Sequence, residues 1–300
     1  MTDFDLSAYM SAEAERVSAS LERAMARLDE DLAPDVAAAA RHGVMSGGKR
    51  LRPILCATAY RACGGNGHEA AYDLAASLEM IHGYSLMHDD LPCMDDADLR
   101  RSEPTTHVEY GEDVTVRAGA ALIPAAARQA LESARRLECG EEGAHAATQA
   151  LLEAAGAGGM VGGQWLDLEG EGKSLAAEEL DGLHRRKTGA LLTAALVMGA
   201  IGAGADESVV SALARYGRAI GLAFQITDDV LDATQSAETL GKNPSDADLD
   251  KSTYVLLYGL DEARARAQRQ VDDALAALES AEIDEPVLTA LARFVVEREK

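Results

Sequence analysis

Apolar residues recur every three or four positions along most of this chain, the spacing of helices that bury one face. Over residues 5–31, Leu6, Tyr9, Met10, Ala14, Val17 and Leu21 line one side of a predicted helix. A second is expected over Asp35–Met45, stopped by Gly47 and Gly48, because glycine readily takes the left-handed conformation that ends helices. Residues 51–63 follow, then a "GGNG" loop at 64–67. A strong helix is expected from Ala70 to about Leu91, and others near 112–138, 144–156, 160–168, 176–202, 206–235, 252–280 and 286–298. Few segments have strand-like composition, and none has a hairpin turn beside it. The pattern predicts an all-α chain, a single domain over 1–300 built as a bundle of about ten or more helices. Bundles build their sites from side chains on facing helices.

Composition supports this reading. The chain is 47% hydrophobic but only 4% aromatic, which favours helix over sheet and argues against disorder. Charge changes the picture more. At a formal −23, the surface disfavours nucleic acid and anionic membranes as partners. Any anionic substrate would then need local cations or metal ions. Residues 188–205 carry no charge for 18 positions, a borderline length for a membrane span. Their Gly and Ala content, bracketed by Lys187 and Asp206, points instead to a buried core helix, so no stable membrane insertion is expected. Cys56, Cys63, Cys93 and Cys139 form no CxxC pair and no zinc-like cluster. The acidic start "MTDFDLSAYM" lacks the apolar core of a signal peptide. Reduced cysteines and a cytoplasmic location are expected.

Two acidic clusters stand out against apolar surroundings. "MHDDLPCMDDADLRR" puts Asp89, Asp90, Asp95, Asp96 and Asp98 within ten residues, followed by Arg100 and Arg101. His82 and Asp89 are two turns apart on one face, with Ser85 between them. Pro92 should break the helix and let Asp95 swing back towards Asp89. About 140 residues later, "FQITDDVLD" carries Asp228, Asp229 and Asp232 inside a helical pattern among Leu222, Phe224, Ile226, Val230 and Leu231. Like charges four apart destabilise a helix, and burying them costs more. A hard divalent cation with oxygen ligands is the natural compensation.

Cations are placed as sparingly. In "GGKRLRP", Gly47 and Gly48 permit close backbone approach, while Lys49 and Arg52, three apart on the following helix, form a plausible anion grip. No P-loop pattern is present. "HRRKTG" supplies Lys187 and Thr188, and Gly241 with Lys242 a third basic point. With Arg100 and Arg101, these suggest more than one phosphorylated group. "GAGGMVGGQWLDLEG" reads as a closely packed helix with Gln164 and Asp167 on a polar strip.

Taken together, "GGKRLRP", "LEMIHGYSLMHDDLPCMDDADLRR", "GMVGGQWLDL", "RRKTGALL", "GLAFQITDDVLD" and "GKNPSDADLDKSTY" resemble, in order, the motifs of the trans-isoprenyl diphosphate synthase (polyprenyl synthetase) family. The likeness runs from about residue 38 to 260 and is to the bacterial-type farnesyl and geranylgeranyl diphosphate synthases. It implies an all-α isoprenoid-synthase bundle around a deep central cavity, in a homodimer. It also implies roles. Asp89, Asp90 and Asp95, with Asp228, Asp229 and Asp232, would hold three Mg²⁺ that bind the allylic diphosphate. Gly48, Lys49, Arg52, His82 and Arg101 would bind isopentenyl diphosphate. Arg100, Lys187, Thr188, Gln225 and Lys242 would contact the allylic diphosphate or the cation formed from it. No nucleophilic Ser or Cys is needed for such chemistry, and no triad is visible.

Three positions depart from the family pattern. Its "GDAL" reads "GAAL", with Ala120; its "RRG" reads "RRS", with Ser102; and the late stretch "NPSDADLDK" is a residue shorter and lacks a lysine. Product length should depend on Tyr84 and Ser85, five and four residues before Asp89. Helix geometry alone leaves open which of the two blocks the pocket. The resemblance favours Tyr84 and mainly farnesyl diphosphate, with geranylgeranyl diphosphate as the alternative. A class I terpene cyclase or a non-catalytic regulatory prenyltransferase subunit would also carry acidic motifs. The intact "GGKRLRP" and His82 argue against the first, and the presence of both aspartate clusters against the second.

Overall fold

The computed structural model describes residues 4–66, 69–234 and 252–298. Among them are fourteen α-helices, a π-helical turn and one two-stranded hairpin, so the expected all-α class holds. The chain divides into two compact units. The N-terminal unit comprises Asp5–Leu151 and Met198–Ala205. The C-terminal unit comprises Leu152–Val197 and Asp206 onward, with the first four residues.

In the N-terminal unit, α1 (Leu6–Asp31) starts where Asp5 caps it, its carboxylate accepting from the Ala8 N–H at 3.0 Å. α2 (Pro34–Met45) opens on a proline, which needs no N–H partner there. α3 (Leu51–Ala62) precedes α4 (Glu69–Asp89), the core helix, buried on every side from Ala70 to Ile81. Such a helix has no polar face to spare, so its charged residues must be paired. Asp73 meets Arg23 at 2.7 Å and Arg136 at 2.6 Å; Glu79 meets the buried Arg50 at 2.7 Å. A hairpin, β1 (Leu99–Arg100) and β2 (Glu103–Pro104), follows α4. Then come α5 (Thr106–Tyr110), α6 (Glu112–Ala134) and α7 (Gly140–Ala155). α6 packs along α4 and stops at Ala134, short of the predicted 138. The hairpin and α5 were not expected from the sequence.

In the C-terminal unit, α8 (Met160–Gly170) is followed by what the sequence reads as one helix over 176–202. It is three pieces: α9 (Ala177–His184), a π-turn (Arg185–Gly189) and α10 (Ala190–Gly202). The π-turn packs so closely on α11 (Glu207–Thr234) that a Cβ on Gly221 would sit 2.8 Å from the Gly189 Cα. The predicted helix over 252–280 is likewise split at Gly259, whose φ of 79° separates α12 (Tyr254–Tyr258) from α13 (Leu260–Glu279). α14 (Pro286–Glu297) closes the chain. Leu222, Ile226 and Val230 of α11 form the core here with Tyr254, Ala263 and Ala267. Among the described residues no helix is long and apolar enough to cross a membrane. The uncharged stretch 188–205 supplies the buried Leu191, Leu192, Leu196 and Met198 of α10.

Candidate active site

In the N-terminal unit the basic motif folds against the hairpin. Gly47 and Gly48 take φ of 83° and 110°, and Arg50 follows at 51°. Lys49 therefore precedes α3 instead of lying on it, a correction to the expected helical pairing of Lys49 with Arg52. Gly48 is required sterically: a Cβ there would lie 2.5 Å from the Arg101 guanidinium, which donates to the Gly47 carbonyl. Arg50 is absorbed by Glu79 and the Val44 carbonyl at 2.9 Å. Arg52 keeps a buried Nε without a hydrogen-bond partner among the described residues. Burial, then Arg101, lowers its pKa. Arg101 is lowered as well, chiefly by burial. Burial, then Arg52, Arg101, Arg100 and Arg50, holds His82 well below the ordinary imidazole value. Cations crowded to the point of mutual depression, with a neutral imidazole among them, are an environment that an anion relieves.

The first acidic motif caps this region. α4 ends at Asp89, and the Asp95 N–H returns to the Asp89 carbonyl at 2.8 Å, as the position of Pro92 predicted. Asp90 is 3% exposed. It accepts from Arg100 Nε at 2.9 Å to each oxygen and from Arg100 Nη2 at 2.5 Å. That pairing outweighs burial and raises the Arg100 pKa. Asp95 is exposed. Tyr84 is buried, edge-on to His88 at 5.5 Å, while Ser85 donates to the His82 carbonyl at 2.8 Å.

In the C-terminal unit a cavity of about 190 Å³ gathers Lys187, Thr188, Gln225, Asp228, Asp229 and Asp232. α11 supplies Gln225 and the three carboxylates from one helical face. The π-turn supplies Lys187 and Thr188, and a Cβ on Gly163 would collide with the Lys187 backbone nitrogen. Lys187 Nζ donates to Asp167 Oδ2 at 2.6 Å. Asp228 holds Arg298 at 2.6 Å, and Asp229 accepts the Tyr254 N–H at 2.6 Å. An aspartate-lined cavity holding a fixed ammonium is suited to a metal-bound polyanion.

A family model for polyprenyl synthetases matches residues 33–291. The chain belongs to the polyprenyl synthetase family. It is 42% identical over 265 residues to the farnesyl diphosphate synthase of Escherichia coli, covering 87% of this chain and 88% of that protein. It is 41% identical over 297 residues to a chloroplastic geranylgeranyl pyrophosphate synthase of Arabidopsis thaliana, covering 97% and 82%. A solved FPP/GFPP synthase from Zymomonas mobilis superimposes with a TM-score of 0.81 at 34% identity, covering 96% of this chain and 99% of that one. The protein is thus a polyprenyl diphosphate synthase, a trans-prenyltransferase with the helical isoprenoid-synthase fold. Family members bind isoprenyl diphosphates and generally use Mg²⁺.

Among the described residues no three His, Cys, Asp or Glu side chains are grouped as a ready metal cage. The donor chemistry nonetheless fits Mg²⁺: Asp167, Asp228, Asp229 and Asp232 offer only hard oxygens to one cavity. Of the substrate residues expected from sequence, Lys242, like Gly241, lies outside the described residues. Sequence reasoning did not assign Asp167, His184, Ser252 and Thr253, which line the cavity, nor Arg298, which pairs with Asp228. Asp167 carried a signal, sharing the polar strip of "GGQWLDL" with Gln164, whose buried amide has neither atom partnered among the described residues. Arg298 carried none.

Proposed function

We propose that this chain, acting as a single domain in a cytoplasmic homodimer, condenses isopentenyl diphosphate with dimethylallyl or geranyl diphosphate. The main product is farnesyl diphosphate, with geranylgeranyl diphosphate as the alternative. The observation that carries this reading is the cavity uniting Lys187, Thr188 and Gln225 with the second aspartate motif. Lys187, fixed by Asp167, stands ready to stabilise the charge that gathers on the departing diphosphate. Thr188 and Gln225 offer oxygen dipoles to the allylic cation left behind. The cationic set of Gly48, Lys49, Arg52, His82 and Arg101 would hold isopentenyl diphosphate, whose double bond attacks that cation. Proton loss, taken up by the released diphosphate, ends the cycle. Asp89, Asp90 and Asp95 with Asp228, Asp229 and Asp232 would hold three Mg²⁺, which would neutralise the leaving diphosphate.

Product length is assigned to Tyr84. Its ring is buried and hemmed by His88, whose imidazole occupies the space a Cβ on Gly119 would need. A side chain so confined makes a firm stop. Incubation with Mg²⁺, labelled isopentenyl diphosphate and each allylic diphosphate should give chiefly C15 product, and Tyr84→Ala should lengthen it. No incorporation from any primer would defeat the synthase reading, and an unchanged length in the variant would remove Tyr84 as the stop. The identity to the Arabidopsis geranylgeranyl synthase keeps C20 as the second reading.

A further inference from the structure

On α11 the acidic side chains occupy one face. Residues 227, 230, 231 and 234 lie roughly opposite, at 100° per residue, and face a separate groove of about 580 Å³. This volume is within the range of small-molecule sites, about 300–1,000 Å³. Val230 and Leu231 of α11, Val271 of α13 and Val296 of α14 give the groove an apolar floor. Arg264 and Arg293 line it too, both exposed, and neither has an acidic partner among the described residues. Most arginines of this acidic chain have an acidic partner among the described residues, so two without one over a single apolar floor are conspicuous. Among the described residues, Glu297 is the one acidic side chain lining the groove. Thr227 lines it as well: the residue is 6% exposed and its buried hydroxyl has no hydrogen-bond partner among the described residues. A buried hydroxyl without a partner among the described residues, in a groove that two guanidinium groups also line, calls for a polar ligand atom.

We propose that this groove is a second binding site, distinct from the catalytic cavity, for an amphipathic anion: an alkyl or prenyl phosphate. The phosphate head would take Arg264 and Arg293, whose planar forks suit phosphate oxygens. The hydrocarbon tail would cover Val230, Val271 and Val296. Arg298 lines the same groove while its guanidinium binds Asp228 at 2.6 Å and lies 3.9 Å over the Phe224 ring. The groove therefore touches the back of the second acidic motif. The assignment does not depend on which product the enzyme makes.

The test is calorimetric titration of the metal-free protein, in chelator, with octyl, decyl and dodecyl phosphate below their micellar concentrations. One-to-one binding is expected, strengthening about threefold to fourfold per added methylene. Arg264→Glu combined with Arg293→Glu should weaken dodecyl phosphate binding at least tenfold, while Lys187→Ala should leave it unchanged. Absent binding, or affinity independent of chain length, would overturn the proposal. So would binding lost in Lys187→Ala but kept in the groove variant, which would put the ligand in the catalytic cavity. Equal affinity for dodecanoate would overturn the phosphate assignment.

Discussion

The two aspartate motifs face the same electrostatic problem and solve it at different ranges. At the end of α4, Asp90 is neutralised by Arg100, ten residues away, and Asp95 is turned back by a short backbone loop. Within α11, Asp228 depends on Arg298, 70 residues distant, and Asp229 on a backbone N–H 25 residues distant. Among the described residues, Asp90 of the first motif finds its partner within its own stretch of chain, while Asp228 and Asp229 of the second draw on α14 and α12. Burial differs too: Asp90 is sealed, whereas the Asp228 side chain keeps about a quarter of its surface open.

The largest effect should come from removing the local partner. Arg100→Ala leaves a buried carboxylate unpaired, and chemical denaturation should show a loss of about 3 kcal/mol, restored in part by adding Asp90→Asn. A loss below about 1 kcal/mol would mean that water reaches Asp90. Arg298→Ala should cost less, about 1–2 kcal/mol, through lost stacking on Phe224 as much as lost charge, because Asp228 can turn to solvent. If Arg298→Ala costs more than Arg100→Ala, the contrast between local and distant compensation is wrong.

Acid should then separate the regions. His82 resists protonation in the folded protein, so the unfolded chain binds its proton first as pH falls. Nothing is lost above the unfolded value near 6.5. Below it, stability should fall by about 1 kcal/mol between pH 6.5 and 5.5, and His82→Gln should remove that part of the slope. The smallest effect sits in the hairpin that presents both arginines. Arg101 and Ser102 have φ of 55° and 67°, the sign a two-residue hairpin turn demands and one that glycine adopts freely. Ser102→Gly should gain about 0.5 kcal/mol in thermal unfolding.

Such cases mark how far the sequence could be read. The helices, the break at Pro92 and the two carboxylate faces follow from local spacing. The hairpin did not, because "RRSE" has neither glycine nor asparagine at its turn. The π-turn at Arg185–Gly189 did not either: one extra residue in a helical turn leaves the apolar pattern nearly unchanged. In the cavity around Lys187, that lysine, Thr188, Gln225 and the three aspartates of α11 were legible, since their motifs stood out from apolar neighbours. Arg298 and Thr253 were not, for their partners are set by the packing of helices and no spacing rule spans 70 residues.

The bond from the Tyr254 N–H to Asp229 also ties the chain into a ring. Ring-closing entropy grows only with the logarithm of length, so removing one residue from a 25-residue circuit changes it by about 0.04 kcal/mol. The shortened stretch after α11 thus leaves the hold on Asp229 untouched. Length in this part of the enzyme is nearly free to drift.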